Sequence, residues 1–112
     1  MNLLVCGGRD YQDAERLYKV LDSIATSDVH LIHGAAKGAD SLADAWARER
    51  GYKISSFPAN WGAYGKAAGH YRNTQMIEEG EPDIVVAFPG GAGTANMIKQ
   101  AKACGIVVVR VE

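Results

Sequence analysis

The stretch Val85–Met97, "VVAFPGGAGTANM", decides the reading of the fold. An apolar run with adjacent valines stops at a proline, three glycines fall within the next four positions, and Ala95 to Ala103 contains no helix breaker. This is the pattern of a strand, a glycine-rich turn and a helix start. Such a turn carries bare backbone N–H groups to the positive end of a helix dipole, where an anion, most often a phosphate, can rest against them.

The same alternation extends over the rest of the chain. Asn2 to Cys6 is a short apolar run ending in Gly7-Gly8, and Leu17, Val20, Leu21 and Ile24 then recur at helical spacing, with Asp10 or Asp13 available as the cap. Val29 to Ile32 reads as a second strand, closed by His33-Gly34. A helix follows from about Gly38 to Arg50, stopped by Gly51. Lys53 to Phe57 is a weaker, edge-like strand, and the glycine- and aromatic-rich segment after it becomes helical from about Lys66 to Glu79. Pro82 ends that helix. Ile84 to Phe88, a helix over Thr94 to Cys104, and Ile106 to Val111 complete the series. Strict alternation implies right-handed βαβ units, hence a five-stranded parallel sheet with helices on both faces, in which "IVVAF" and "IVVVRV" read as buried central strands.

With 112 residues, 47% hydrophobic and 22% charged, the composition is that of a soluble single domain over residues 1–112. A net charge of −1 supplies no global field to collect nucleic acid or anionic membrane, so any anion site must be local. No apolar run approaches the ~20 residues that span a bilayer, and "MNLLVCGG" is too short and too soon broken by glycine for a signal segment, which points to the cytoplasm. Two cysteines make no disulfide framework, and Cys6 and Cys104 fall too far apart in this topology for the ~7 Å limit of a bridge. Both read as small buried apolar residues, with a reactive thiol at Cys6 as the alternative.

Three glycine clusters, "CGGRD", "HGAAKGAD" and "PGGAGT", stand at strand carboxyl ends, where parallel α/β sheets bind ligands. They nominate Gly7, Gly8, Gly34, Gly90, Gly91 and Gly93 as the backbone cradle. Thr94 can cap its helix and donate to a phosphate oxygen. Arg9 can clamp a phosphate or pair with Asp10 or Asp13. Lys37 is either a phosphate contact or a solvated loop lysine, and Asp40 either a ribose ligand or a helix cap. Trp61 and Tyr64 can stack a base or cover a sheet edge or dimer surface. The Walker and dinucleotide fingerprints are both missing, and His30, His33 and His70 have no spacing that pairs them with a second metal ligand, so neither metal nor cofactor is expected. Of the three histidines, only His33 falls near the crevice.

"PGGAGT" resembles the Pro-Gly-Gly-x-Gly-Thr signature of the LOG-type phosphoribohydrolases, and "RNTQM" stands where those enzymes carry an Arg-Lys pair. "CGGRDY" and "HGAAKGAD" instead resemble loops of the DNA-processing protein family. Both branches belong to the SLOG superfamily, named from Smf and LOG, and together with "NWGAYGKAAGHYRN" the chain is most similar to its small YspA-like group. The resemblance implies a Rossmann-like three-layer α/β/α fold and a nucleotide phosphate held by Gly90, Gly91, Gly93, Thr94 and Arg72.

One departure matters. The LOG signature places its catalytic glutamate at the position of Met97, which by family geometry faces the ribose, and a thioether can neither stabilise an oxocarbenium ion nor activate water. The chain therefore reads as a nucleotide-binding sensor or accessory module for an adenine-type or ADP-ribose-like ligand. The alternatives are a hydrolase using Asp40 or Glu78, and single-stranded nucleic-acid binding. Apolar helix faces outside the core would permit a homodimer.

Overall fold

Side chains alternate faces along a strand, and the inner strands of this chain are apolar on both faces, so helices must cover the sheet from both sides. A computed structural model describes residues Met1–Glu112. The elements run β1 (Asn2–Cys6), α1 (Ala14–Ile24), β2 (His30–His33), α2 (Ala39–Arg50) and β3 (Lys53–Ser56) in the first half. Then come α3 (Trp61–Tyr64), a 3-10 turn (Gly65–Ala67), α4 (Ala68–Gly80), β4 (Ile84–Ala87), α5 (Ala92–Ala103) and β5 (Val107–Arg110). All five strands are parallel, in the order β3-β2-β1-β4-β5. This is the expected Rossmann-like α/β/α arrangement.

The strand alternation divides the core into two layers. On one face Leu3, Val5, Leu31, Val86 and Phe88 meet Leu17 and Leu21 of α1 and Ala43, Trp46 and Ala47 of α2. Trp46 is wholly buried and its indole N–H donates to Asp22 Oδ1 at 2.8 Å, which satisfies the one polar atom that burial would otherwise strand. On the other face Leu4, Cys6, Ile32, Val85 and Ala87 meet Met76 of α4 with Met97 and Ala101 of α5. Register ties the layers together, with Leu4 lying beside Ile32 on one side and Val85 on the other.

Helix ends follow from local chemistry. Asp13, rather than Asp10, caps α1 by accepting from the Arg16 N–H at 3.1 Å. Gly51 closes α2 in the left-handed region at φ 71°. The aromatic segment is more regular than its glycines suggest, because Asn60 accepts from the Ala63 N–H at 3.0 Å and so starts the single turn of α3.

Several expectations are corrected. The run Val107–Arg110 is not central but forms the second edge of the sheet, where Val107 is 61% exposed. A continuous apolar run records what a strand could bury; chain order decides which strands have neighbours on both sides. Cys104 is exposed, since it follows the last turn of α5, while Cys6 is buried as expected.

Helix α5 begins at Ala92, two residues before Thr94. Met97 is fully buried among Leu4, Cys6, Ile32 and Met76 and does not line the crevice at the strand ends, so it is a core residue and not one that faces a ligand. Met97→Glu is therefore expected to destabilise the fold by at least ~3 kcal/mol, because it forces an unpaired carboxylate into an apolar layer. Met97→Leu should cost under about 1.5 kcal/mol. Denaturant unfolding of the two variants checks this, and equal stabilities would mean that position 97 reaches water.

Candidate functional site

Strands β1 and β4 are neighbours, yet the helix after β1 crosses one face of the sheet and the helix after β4 crosses the other. The chain thus reverses its winding between them. A crevice of about 540 Å³ opens there, beyond the carboxyl ends of the strands. Residues from every glycine cluster line it.

The third cluster supplies free donors. Gly91 is the N-cap of α5 and brings no capping side chain. The Ala95 N–H closes onto the Gly91 carbonyl at 3.0 Å, but the N–H groups of Ala92, Gly93 and Thr94 find no acceptor in the protein. A Cβ on Gly91 or Gly93 would meet nothing within 4 Å, so both look onto open space. Thr94 is the third helical residue and not the cap; it is buried, with its hydroxyl against Gly90.

The second cluster is occupied from within. The N–H groups of Gly34 and Ala36 both donate to Asp40 Oδ2, at 3.0 and 3.2 Å, and that of Ala35 donates to His33 Nδ1 at 3.0 Å. Ala35 is held at φ 56°, a conformation that costs a non-glycine residue about 1 kcal/mol or more. Asp40 is only 6% exposed, its Oδ1 has no partner in the protein, and the residue lines the crevice. Burial raises its pKa above the usual carboxylate value, against the opposing pull of the Ala36 amide, His33, Arg72 and the Gly34 amide. Asp40 is accordingly no ordinary helix cap. It is an internal anion for one loop and a free acceptor for the crevice.

Arg72 of α4 is half-buried at the crevice floor. Its Nε–H donates to Asn73 Oδ1 at 3.2 Å and its Nη1 donates to the Gly34 carbonyl. Asn73 in turn donates from Nδ2 to the Gly93 carbonyl and to Asn96 Oδ1, each at 3.1 Å. One buried amide therefore fixes the guanidinium relative to the start of α5. Arg72 has no carboxylate partner within 4.0 Å, and its pKa is lowered, first by burial and then by the like charge of Arg9, with Asp40 opposing. Arg9 also lines the crevice and pairs with neither Asp10 nor Asp13; its guanidinium stands 5.9 Å from the centre of the Trp61 ring.

Other candidates fall outside. Lys37 is exposed and does not line the crevice; Lys66 does. His33 is a buried structural residue bonded to Asp44 Oδ2 at 2.7 Å, whereas His70 lines the site. Gly34 and Gly90 serve packing: a Cβ on Gly34 would strike the Arg72 guanidinium, and one on Gly90 would strike the Thr94 hydroxyl and lie 2.6 Å from the Gly8 nitrogen. Tyr64 and Glu78 line a separate groove on the outer side of α4, so Glu78 cannot serve chemistry in the crevice. Burial and then the Asp40 charge push the Cys6 thiol up to about 12, which removes it as a nucleophile at neutral pH. Asn73 escaped the sequence reading, although its place three residues before the buried Met76 puts a polar side chain on the apolar stripe of α4. Lys66 and His70 carried no such signal.

A crevice at the winding reversal of a Rossmann-like sheet, edged by glycine loops, defines a class of domain, and sequence comparison places the chain within it. The sequence model of the YspA, cpYpsA-related SLOG family (YAcAr) matches residues 1–64, which hold the first two glycine loops. Over 117 aligned residues the chain is 35% identical to the Gene 61 protein of Mycobacterium phage D29, covering 96% of this chain and 93% of that protein. The chain belongs to the YspA, cpYpsA-related SLOG family.

Among solved structures it is similar to DNA processing protein A (DprA) from Streptococcus pneumoniae, with TM-score 0.77 and 19% identity over 99% of this chain and 50% of that one. The C-terminal domain of the PF1911 hydrogenase from Pyrococcus furiosus matches with TM-score 0.56 and 16% identity, over 98% of this chain and 90% of that one. These two likenesses concern the fold, and the chain spans about half the length of DprA. Family membership supports a nucleotide- or nucleic-acid-related module.

Two predictions follow from this geometry. Gly90→Ala should lower stability by ~1 to 3 kcal/mol through overpacking, while Gly91→Ala, with open space at the Cβ, should cost under about 1 kcal/mol, the difference between glycine and alanine at a helix N-cap. Matching losses in the two variants would refute the division of labour between these glycines.

The second concerns Asp40. Because its pKa is raised, the folded protein keeps this proton to a higher pH than the unfolded chain, and the stability that depends on it is lost as pH climbs from the usual carboxylate value through the raised one. Asp40→Asn can still accept from Gly34 and Ala36, and should flatten that slope in melting curves taken from about pH 4 to about pH 8. Parallel wild-type and variant profiles would contradict the burial argument.

Proposed function

We propose that this chain is a binding module for a phosphorylated nucleoside of the adenine-nucleotide or ADP-ribose-like kind, acting as a sensor or accessory factor. The observation that carries this reading is the meeting of three unpaired helix-start N–H groups with a half-buried guanidinium that has no carboxylate partner. A phosphate satisfies both sets at once. Asp40 Oδ1 suits a ribose hydroxyl, and about 540 Å³ lies within the ~300 to 1,000 Å³ of small-molecule sites.

Binding without turnover is the expected behaviour. Hydrolysis of an N-glycosidic bond asks carboxylates both to stabilise charge and to activate water, and Asp40 is the only carboxylate that lines the crevice. A hydrolase reading rests on that residue alone. For single-stranded nucleic acid, the local cations speak in favour and the net charge of −1 against.

Calorimetry with nucleoside mono-, di- and triphosphates, ADP-ribose and a short single strand is the test. Arg72→Ala should weaken nucleotide binding about tenfold to a hundredfold, the worth of a charge-assisted hydrogen bond. Gly91→Val should still fold, with a modest loss of stability at the helix N-cap, and lose the ligand. Unchanged affinity in a folded Arg72→Ala variant removes the phosphate from this crevice, and base release by wild type that Asp40→Asn abolishes replaces binding with hydrolysis.

A further inference from the structure

Resting on the reading of the crevice as a phosphate site, we infer that it accepts two phosphate groups in series, so that its ligand belongs to the nucleoside-diphosphate class, compounds with a pyrophosphate bridge included. The cations of the crevice stand at two depths. Arg72 is half-buried and tied through Asn73 to the start of α5, so it belongs with the free N–H groups there. Arg9 and Lys66 line the same crevice but are exposed, at its mouth.

Neither mouth cation has a carboxylate partner. The ion pairs of the protein all involve residues of α2, and Asp40, the single lining carboxylate, is committed through Oδ2 to the Gly34 and Ala36 amides. A phosphate bound at the floor leaves the charges of Arg9 and Lys66 at the mouth unmatched. A second phosphate, joined to the first and directed outward, matches them.

Arg9 is placed for this role. Gly8, just before it, donates its N–H to the Pro89 carbonyl at 2.9 Å and accepts from Tyr11 and Ala39, each at 3.2 Å. Its guanidinium lies over the Trp61 ring, and Trp61 itself packs at 3.7 Å against the position a Gly69 Cβ would take on α4. The indole face that could have stacked a base is thus engaged by a cation, whose N–H edge stays free for a phosphate. Trp61 is a positioning residue for Arg9.

Calorimetry with AMP, ADP and a ten-nucleotide oligo-dA, on the full chain, decides the matter. ADP should bind at least about tenfold more tightly than AMP. Arg9→Ala and Lys66→Ala should each remove most of that advantage while leaving AMP within about threefold of wild type, and Trp61→Ala, but not Trp61→Phe, should follow Arg9→Ala. Arg72→Ala should weaken both nucleotides alike.

Equal affinities for AMP and ADP would overturn the second phosphate and leave the single-phosphate site standing. Failure of both nucleotides to bind would overturn the phosphate site itself. Oligo-dA binding tighter than ADP, with a steep salt dependence, would overturn the small-molecule class in favour of nucleic acid.

Discussion

Three loops at the carboxyl end of the sheet meet main chain to main chain, and the crevice exists because they do. Gly8 bonds to the Pro89 carbonyl at 2.9 Å and receives the Ala39 N–H at 3.2 Å, joining the β1, β2 and β4 ends in one contact. No side chain fits between them. A Cβ on Gly8 would lie 3.1 Å from the Gly90 Cα, one on Gly7 would lie 2.6 Å from the Ala39 Cβ, and one on Gly38 would strike the Gly8 carbonyl. Gly38 also sits at φ 78°, where glycine is at ease and other residues are strained. Around this knot the start of α5, Arg72 and Asp40 are held at fixed separations, which is the preorganisation that ligand binding requires.

The sheet was legible in the sequence because each of the first four strands reaches a glycine or proline within two residues of its end and the longer helices carry periodic apolar positions. Strand position was less so, as the edge placement of Val107–Arg110 shows, since apolar content does not report neighbours. Within the site, the convergence of the glycine clusters could be read, but not which glycines face a ligand. Gly90 and Gly91 are adjacent and identical in type, yet one is packed against Gly8 and Thr94 and the other is open. Only the folded neighbourhood separates a glycine required by its protein neighbours from one with open space at its Cβ.

The same limit applies to charge. Lys37 and Lys66 each sit among glycines, and only the second reaches the crevice, because the β2 loop turns its amides inward to Asp40 and His33 and leaves Lys37 outside. Met97 shows the converse. A motif alignment assigned it the place of a catalytic carboxylate, but the two-residue earlier start of α5 and the apolar company of Leu4 and Met76 make it a core residue.

The inward turn of the β2 loop makes the crevice directional. Its amides are spent on a carboxylate the chain carries itself, so one wall presents an acceptor, Asp40 Oδ1, while the opposite wall at α5 presents unspent donors. A nucleotide bound as proposed is oriented by this contrast: its first phosphate lies against α5 and a ribose hydroxyl against Asp40. Reversing it would set phosphate against carboxylate. The site therefore fixes which end of its ligand enters first as well as which groups that ligand carries.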